Sequence, residues 1–288
     1  MSKIVLVTGI TGKQGGATAK ALRRMGHHVH GLVRNPTSGA ALALEAQGVR
    51  LVAGDFTNPT ALEAAMRGVH AVFAMTTPFE AGVEAEVAQG KALVDGAAAA
   101  RVEHFVYSSV ASADQGTGIP HFESKFAVEQ HLKASGLPWT VIAPVYFMEN
   151  LFLPQTLAGL KDGVYAAPMP KGVALQQVAV RDIGEFAAHA LTQGRSFFGE
   201  RIEVAGDALS GAAVAAHIRE VTSKPIEYVE LPIEQIRAWM EDVALMYEWF
   251  ISTGYSVDLP KLRARYPEIG WQSFGEWART ALADTHVL

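Results

Sequence analysis

With 288 residues, 49% of them hydrophobic and 18% charged, the chain is long enough for one large domain, or a large domain with a small appendage. Cysteine is absent, which excludes disulfides and thiol chemistry and fits a reduced compartment. The net charge of −5 comes from scattered acids and bases. There is no basic block to neutralise nucleic-acid phosphates and no metal-spaced histidine pair on an expected helix, and only Met1-Ser2-Lys3 precede the first apolar run. Direct nucleic-acid binding, a structural metal and a membrane segment are therefore not expected, and a cytoplasmic location is.

The first half alternates strands and helices. Strands are expected at Ile4 to Thr8, Val29 to Val33, Val49 to Ala53, Ala71 to Met75, His104 to Ser108 and Thr140 to Ala143, all short apolar runs rich in β-branched residues. Helices are expected at Lys13 to Met25, closed by Gly26; at Pro59 to Met66, opened by Asn58 and followed by Gly68; at Val83 to Ala100; and at Phe122 to Ala134, closed by Gly136. Apolar strands separated by helices imply a parallel sheet covered on both faces, and right-handed crossovers make it an α/β, doubly wound fold. After Asn150 proline becomes frequent, and Trp239, Trp249, Trp271 and Trp277 all occur there. Helices are expected at Ile183 to Leu191, Gly211 to Val221, Ile233 to Met240 and Ser273 to Leu282. The expected organisation is a dinucleotide-binding domain over 1–150 and a smaller α/β lobe over 151–288, with a soft boundary and parts that interleave.

Gly9-Ile10-Thr11-Gly12-Lys13-Gln14-Gly15-Gly16 follows the first strand and opens the first helix. Glycine suits a tight turn that brings backbone N–H groups against a diphosphate at a helix N-terminus. In a strand-turn-helix context this is a dinucleotide signature, with the spacing G-x-x-G-x-x-G. Roughly twenty residues on, an NAD binder carries an acid for the ribose hydroxyl. Here the second strand ends Leu32-Val33-Arg34-Asn35-Pro36, with no acid, and Arg34 offers a planar fork to a 2′-phosphate. NADP(H) is the expected cofactor. Asp55, after the third strand, suits either an adenine amine or a helix cap beside Asn58. Thr76, after the fourth, is either a nicotinamide neighbour or a loop residue.

Short-chain dehydrogenases use Tyr-x-x-x-Lys, one helical turn apart. The matching stretch is His121-Phe122-Glu123-Ser124-Lys125, which keeps the lysine and puts histidine where the acid belongs. Upstream, Phe105-Val106-Tyr107-Ser108-Ser109 ends the fifth strand, where a serine would support that acid. Either His121 donates the proton, with Lys125 as its catalytic partner and cofactor ligand, or the acid is lost and Lys125 only binds.

These stretches, with Tyr146-Phe147-Met148-Glu149-Asn150 and Val180-Arg181-Asp182-Ile183-Gly184, resemble the NmrA-like family over nearly the whole chain. The resemblance implies an atypical short-chain dehydrogenase with a Rossmann-type domain and a smaller C-terminal lobe. It also implies cofactor contacts from Gly9, Thr11, Gly12, Lys13, Gln14, Gly15, Arg34, Asp55, Thr76, Lys125, Tyr146, Phe147 and Asn150. Two departures stand out: Ile10 replaces a smaller residue, and Met148 lengthens a Tyr-Phe-Glu-Asn form by one.

Two functions follow. The first is an NADPH-dependent reductase of a small apolar acceptor such as a quinone or carbonyl, with Tyr146, Phe147, Phe152, Tyr247, Trp249 and Phe250 either lining a pocket or forming a core stripe. The second is a catalytically inactive NADP(H)-sensing regulatory protein that acts through a protein partner. A homo-oligomer is compatible with both.

Overall fold

The computed structural model describes residues 2–283. In chain order, β1 (Ile4–Val7), α1 (Lys13–Arg24), β2 (His28–Val33), α2 (Gly39–Ala46), β3 (Arg50–Ala53), α3 (Pro59–Met66), β4 (Ala71–Met75), α4 (Val83–Ala99), β5 (His104–Ser108), α5 (Pro120–Ala134) and β6 (Trp139–Pro144) alternate. There follow β7 (Tyr146–Phe147), α6 (Pro154–Lys161), β8 (Val164–Ala167), β9 (Ala174–Val178), α7 (Val180–Gln193), β10 (Glu200–Val204), β11 (Asp207–Ser210), α8 (Gly211–Thr222), β12 (Glu227–Glu230), α9 (Ile233–Trp239), α10 (Glu241–Ser252), α11 (Leu259–Arg265) and α12 (Phe274–Ala281).

The chain divides into two compact units, one formed by residues 2–116, 120–143 and 183–203, the other by 117–119, 144–182 and 204–283. In the first, a seven-stranded sheet has the order β10-β6-β5-β4-β1-β2-β3. Strands β1 to β6 pair in parallel. Strand order reverses between β1 and β4, and in such sheets ligands bind outside the carboxyl ends of the strands at that point. The doubly wound, Rossmann-type fold expected from the alternating pattern is the one observed. Leu6, Val72, Phe105, Tyr107 and Val141 from the sheet pack with Leu62, Leu93, Val128 and Leu132 from the helices in one buried cluster.

Local chemistry explains several helix starts. Asn58 caps α3 by accepting from the Ala61 N–H at 3.0 Å, with Pro59 as the first helical residue. Helix α5 begins at Pro120, two residues before the start that the apolar pattern suggests, because the fixed φ of proline suits a first helical position. His121 thus lies inside the helix, one turn ahead of Lys125.

In the second unit β9 pairs antiparallel with β11 and parallel with β7, while β8 and β12 form a separate parallel pair. Its core gathers Met148, Leu151, Val214, Ile218, Phe274 and Trp277. Glu149 accepts from the Val180 N–H at 2.9 Å and from Trp277 Nε1 at 2.9 Å. Asp182, fully buried, accepts from the Gln272 N–H at 2.7 Å. Burial pushes its carboxyl up to about 6, against the pull of that bond and of Arg181.

One buried histidine in the first unit links this packing to pH. The only hydroxyl hydrogen of Thr140 goes to the Phe197 carbonyl at 2.7 Å, so at 2.8 Å His104 Nε2 must donate to Thr140 Oγ1. That leaves His104 Nδ1 a buried lone pair with no partner. Burial, helped by Lys3, pushes the imidazole down to about 4. An unfolded histidine takes its proton near 6.5, so the contribution of neutral His104 is present above that pH and lost as pH falls toward 4. Up to roughly 3 kcal/mol of stability should disappear over that window. Urea unfolding between pH 7 and pH 4 is expected to show this loss in the wild type and a markedly smaller one in His104→Leu; equal slopes would refute the assignment.

Candidate functional site

The site grows from the end of β1, which the parallel register places between β2 and β4. The turn closes through Gly12 N–H to Gly9 O at 2.9 Å. Gly9 has φ +58°, and a Cβ there would lie 2.5 Å from Met75 Sδ. A Cβ on Gly15 would lie 2.4 to 2.6 Å from backbone atoms of Gly9 and Thr8, so this glycine lets α1 start directly on the turn. Gly12 differs: its backbone is extended, and a Cβ would meet only Gly9 O, at 3.2 Å. No side chain caps α1 and no acid sits in its first turn. The helix start therefore presents backbone donors and a positive dipole end, the combination that a diphosphate requires. Gln14 Oε1 accepts from Ser108 Oγ at 2.6 Å, which anchors the start of α1 to the end of β5.

Arg34, just past β2, is largely exposed, and its fork meets Glu80 Oε2 at 3.0 Å and Oε1 at 3.5 Å. Asp55 is tied into its own turn, accepting from the Thr57 hydroxyl and, at 2.7 Å, from the Thr57 N–H; these bonds hold its carboxyl below the ordinary range. It does not cap α3, since Asn58 does.

Lys125 is largely buried, with Nζ 2.7 Å from Glu86 Oε1 and 2.5 Å from the Thr76 carbonyl. Glu86, from the first turn of α4, has no exposed surface. It also accepts from Thr76 Oγ1 at 3.0 Å and from Ser124 Oγ, and Thr76 Oγ1 lies 3.1 Å from the Tyr107 hydroxyl. Burial pulls the ammonium pKa down while Glu86 pulls it up. Thr76, Glu86, Tyr107, Ser124 and Lys125 thus form one buried polar cluster joining β4, α4, β5 and α5. Only Thr76 and Lys125 were singled out from the sequence. Glu86 reads there as an ordinary acid in a helix first turn, although a buried lysine demands a carboxylate from somewhere.

The His121 imidazole packs against the rings of Phe79, 5.8 Å away, and Phe122, 4.8 Å away. Neither serine at the end of β5 supports it: Ser108 serves Gln14, and Ser109 Oγ donates to Glu129 Oε1 at 2.6 Å. Tyr146, Phe147 and Asn150 belong to the second unit. There Tyr146 OH lies 3.4 Å from Tyr247 OH and bonds Asn150, while Phe147 pairs with Val178. Tyr146 and Tyr247 line a small cavity with Tyr165, Tyr228 and Gln177, whereas Phe250 is core and Phe152 packs on Trp277. Among the described residues no helix is long and apolar enough to cross a membrane, and no acid, histidine or cysteine cluster could hold a metal.

The description of the NmrA-like family matches residues 1–278. The chain is 32% identical over 243 residues to an NAD(P)H azoreductase of Xenophilus azovorans, covering 84% of this chain and 82% of that protein. It is 29% identical over 249 residues to the nitrogen metabolite repression protein nmrA of Emericella nidulans, covering 82% and 70%. Among solved structures, a double mutant of NmrA superposes with a TM-score of 0.80 at 25% identity, covering 96% of this chain and 94% of that one.

Two substitutions test the geometry. Removing Glu86 alone strands a buried ammonium, so Glu86→Leu is expected to cost about 3–5 kcal/mol in urea unfolding, and Glu86→Leu with Lys125→Met to recover most of it. A double variant no more stable than the single one would show that the two do not act as a pair. Gly12→Val is expected to keep the circular dichroism spectrum and to abolish nucleotide binding, because a branched side chain, already tight at 3.2 Å from Gly9 O, crowds the helix start where the diphosphate is expected.

Proposed function

The chain belongs to the NmrA-like family, and on that premise we propose that it is an NADPH-dependent reductase of a small apolar acceptor, a quinone, azo compound or carbonyl. The observation that carries the nucleotide is the uncapped, acid-free start of α1, which follows a glycine turn at the end of β1. Gly9, Thr11, Gly12, Lys13, Gln14 and Gly15 hold the diphosphate there, and Arg34 takes the 2′-phosphate. Thr76 borders the nicotinamide half. Lys125 commits its ammonium to Glu86 and the Thr76 carbonyl, while its contact with Thr76 Oγ1 is long at 3.4 Å, so one N–H remains for a ribose hydroxyl. Bound nicotinamide supplies the hydride.

The acceptor class follows from the acid. No tyrosine stands one turn before Lys125, and Ser108 and Ser109 are committed elsewhere. A quinone or azo acceptor becomes a stabilised anion on taking hydride and can collect its proton from solvent, so it tolerates this site better than a simple ketone. The similarity to an azoreductase supports the same class. The weak acid machinery and the similarity to a repression protein also favour a second reading, a nucleotide-sensing regulator that acts through a protein partner.

Purified protein incubated with NADPH and a panel of quinones, azo dyes and aldehydes, followed at the nicotinamide absorbance, is expected to turn over the first two classes. General acids contribute about a hundred- to ten-thousandfold. With a quinone, His121→Phe is expected to lower kcat by less than about tenfold, since solvent replaces the acid. The double variant Glu86→Leu with Lys125→Met, which leaves no buried charge unpaired, is expected to weaken NADPH binding. Tight NADPH binding with no oxidation by any acceptor would overturn the reductase reading in favour of the regulator.

A further inference from the structure

The sheet order β4-β1-β2 places the glycine turn, at the end of β1, between Arg34, just past β2, and Glu80, in the segment after β4. An ion pair between those two residues, 46 positions apart, therefore spans the carboxyl end of β1, where the nucleotide is proposed to lie. The guanidinium turns both terminal nitrogens to the two oxygens of Glu80, at 3.0 and 3.5 Å. A carboxylate and a phosphate compete for the same fork.

Resting on the nucleotide-binding reading, we propose that Glu80 is a specificity-determining residue that lowers the preference for NADP(H) over NAD(H). A 2′-phosphate can reach Arg34 only by displacing Glu80 or by sharing the fork with a like charge, and both disfavour it. A 2′-hydroxyl is a donor, which a carboxylate accepts. Glu80 thus offers NAD(H) the service that an acid at the end of β2 performs in NAD binders, supplied here from the far side of β1. The pair is exposed on both sides, and pairs of this kind are weak enough for a phosphate to open. Opening it releases the segment that also carries Phe79, whose ring rests on His121.

The test is Glu80→Gln, which removes the charge at an exposed position and keeps the size. Dissociation constants for NADPH and NADH are measured by titration for wild type and variant, with circular dichroism confirming the fold. The expected result is NADPH binding tightened about three- to tenfold while NADH binding is unchanged or weaker. In the wild type, hydrogen exchange over residues 77–82 is expected to rise with NADP+ and not with NAD+. An unchanged NADPH-to-NADH ratio in Glu80→Gln overturns the assignment while leaving the nucleotide site in place. Binding of neither nucleotide by the wild type overturns both.

Discussion

A carboxylate with no exposed surface has to find all its hydrogen-bond donors inside the protein, and the arrangement of the candidate site depends on how Glu86 meets that demand. Its three donors come from two elements: Lys125 and Ser124 on α5, and Thr76 at the end of β4. Satisfying one acid therefore fixes the exit of β4, the start of α4 and the first turns of α5 relative to one another. Lys125 is also paired, its charge met by the Glu86 carboxylate at 2.7 Å. The physical role of the cluster is rigid placement of one ammonium, with its charge balanced in place.

Much of the first unit was legible in the sequence because its signals are local. Six strands, the glycine turn and the lysine one turn after His121 each follow from residue type and spacing. Glu86 was not legible, since nothing near it distinguishes a buried acid from a solvated one in the first turn of an alanine-rich helix. Glu80 was missed for a related reason: the end of β2 lacks an acid, and only the sheet order brings one from 46 residues away. The return of residues 183–203 to the first unit is also a tertiary fact. Strand β10, at the sheet edge, carries Arg201 and Glu203, and Arg201 reaches the buried Glu129 at 3.0 Å and Glu203 at 2.9 Å, partners that local sequence does not name.

The motifs behind the family resemblance divide by task once their contacts are known. Those at the glycine turn shape the start of α1, and their glycines are demanded by the close backbone approach at Gly15 and the positive φ at Gly9. The later ones are largely architectural. Glu149 joins the start of α7 to Trp277 in α12, Asp182 accepts from Gln272, and Gly184 lets α7 press on α1, where a Cβ would lie 2.5 Å from the Ala17 carbonyl carbon. A family pattern spread over the whole chain therefore records packing as well as a candidate site.

The same distinction bears on the chemistry. Enzymes that reduce simple carbonyls must deliver a proton as well as a hydride, and need a hydroxyl or imidazole held by supporting donors. In this chain the residues at those positions have other work. Ser108 secures Gln14, Ser109 secures Glu129, and the Tyr107 hydroxyl is buried against Thr76, where burial and the charge of Glu86 push its pKa far up. The His121 imidazole packs against the rings of Phe79 and Phe122. The proposed nucleotide site lacks a tyrosine acid one turn before Lys125. It therefore suits acceptors whose reduced form is already a stable anion, or no acceptor at all, and those two alternatives are the reductase and the regulator between which the family itself divides.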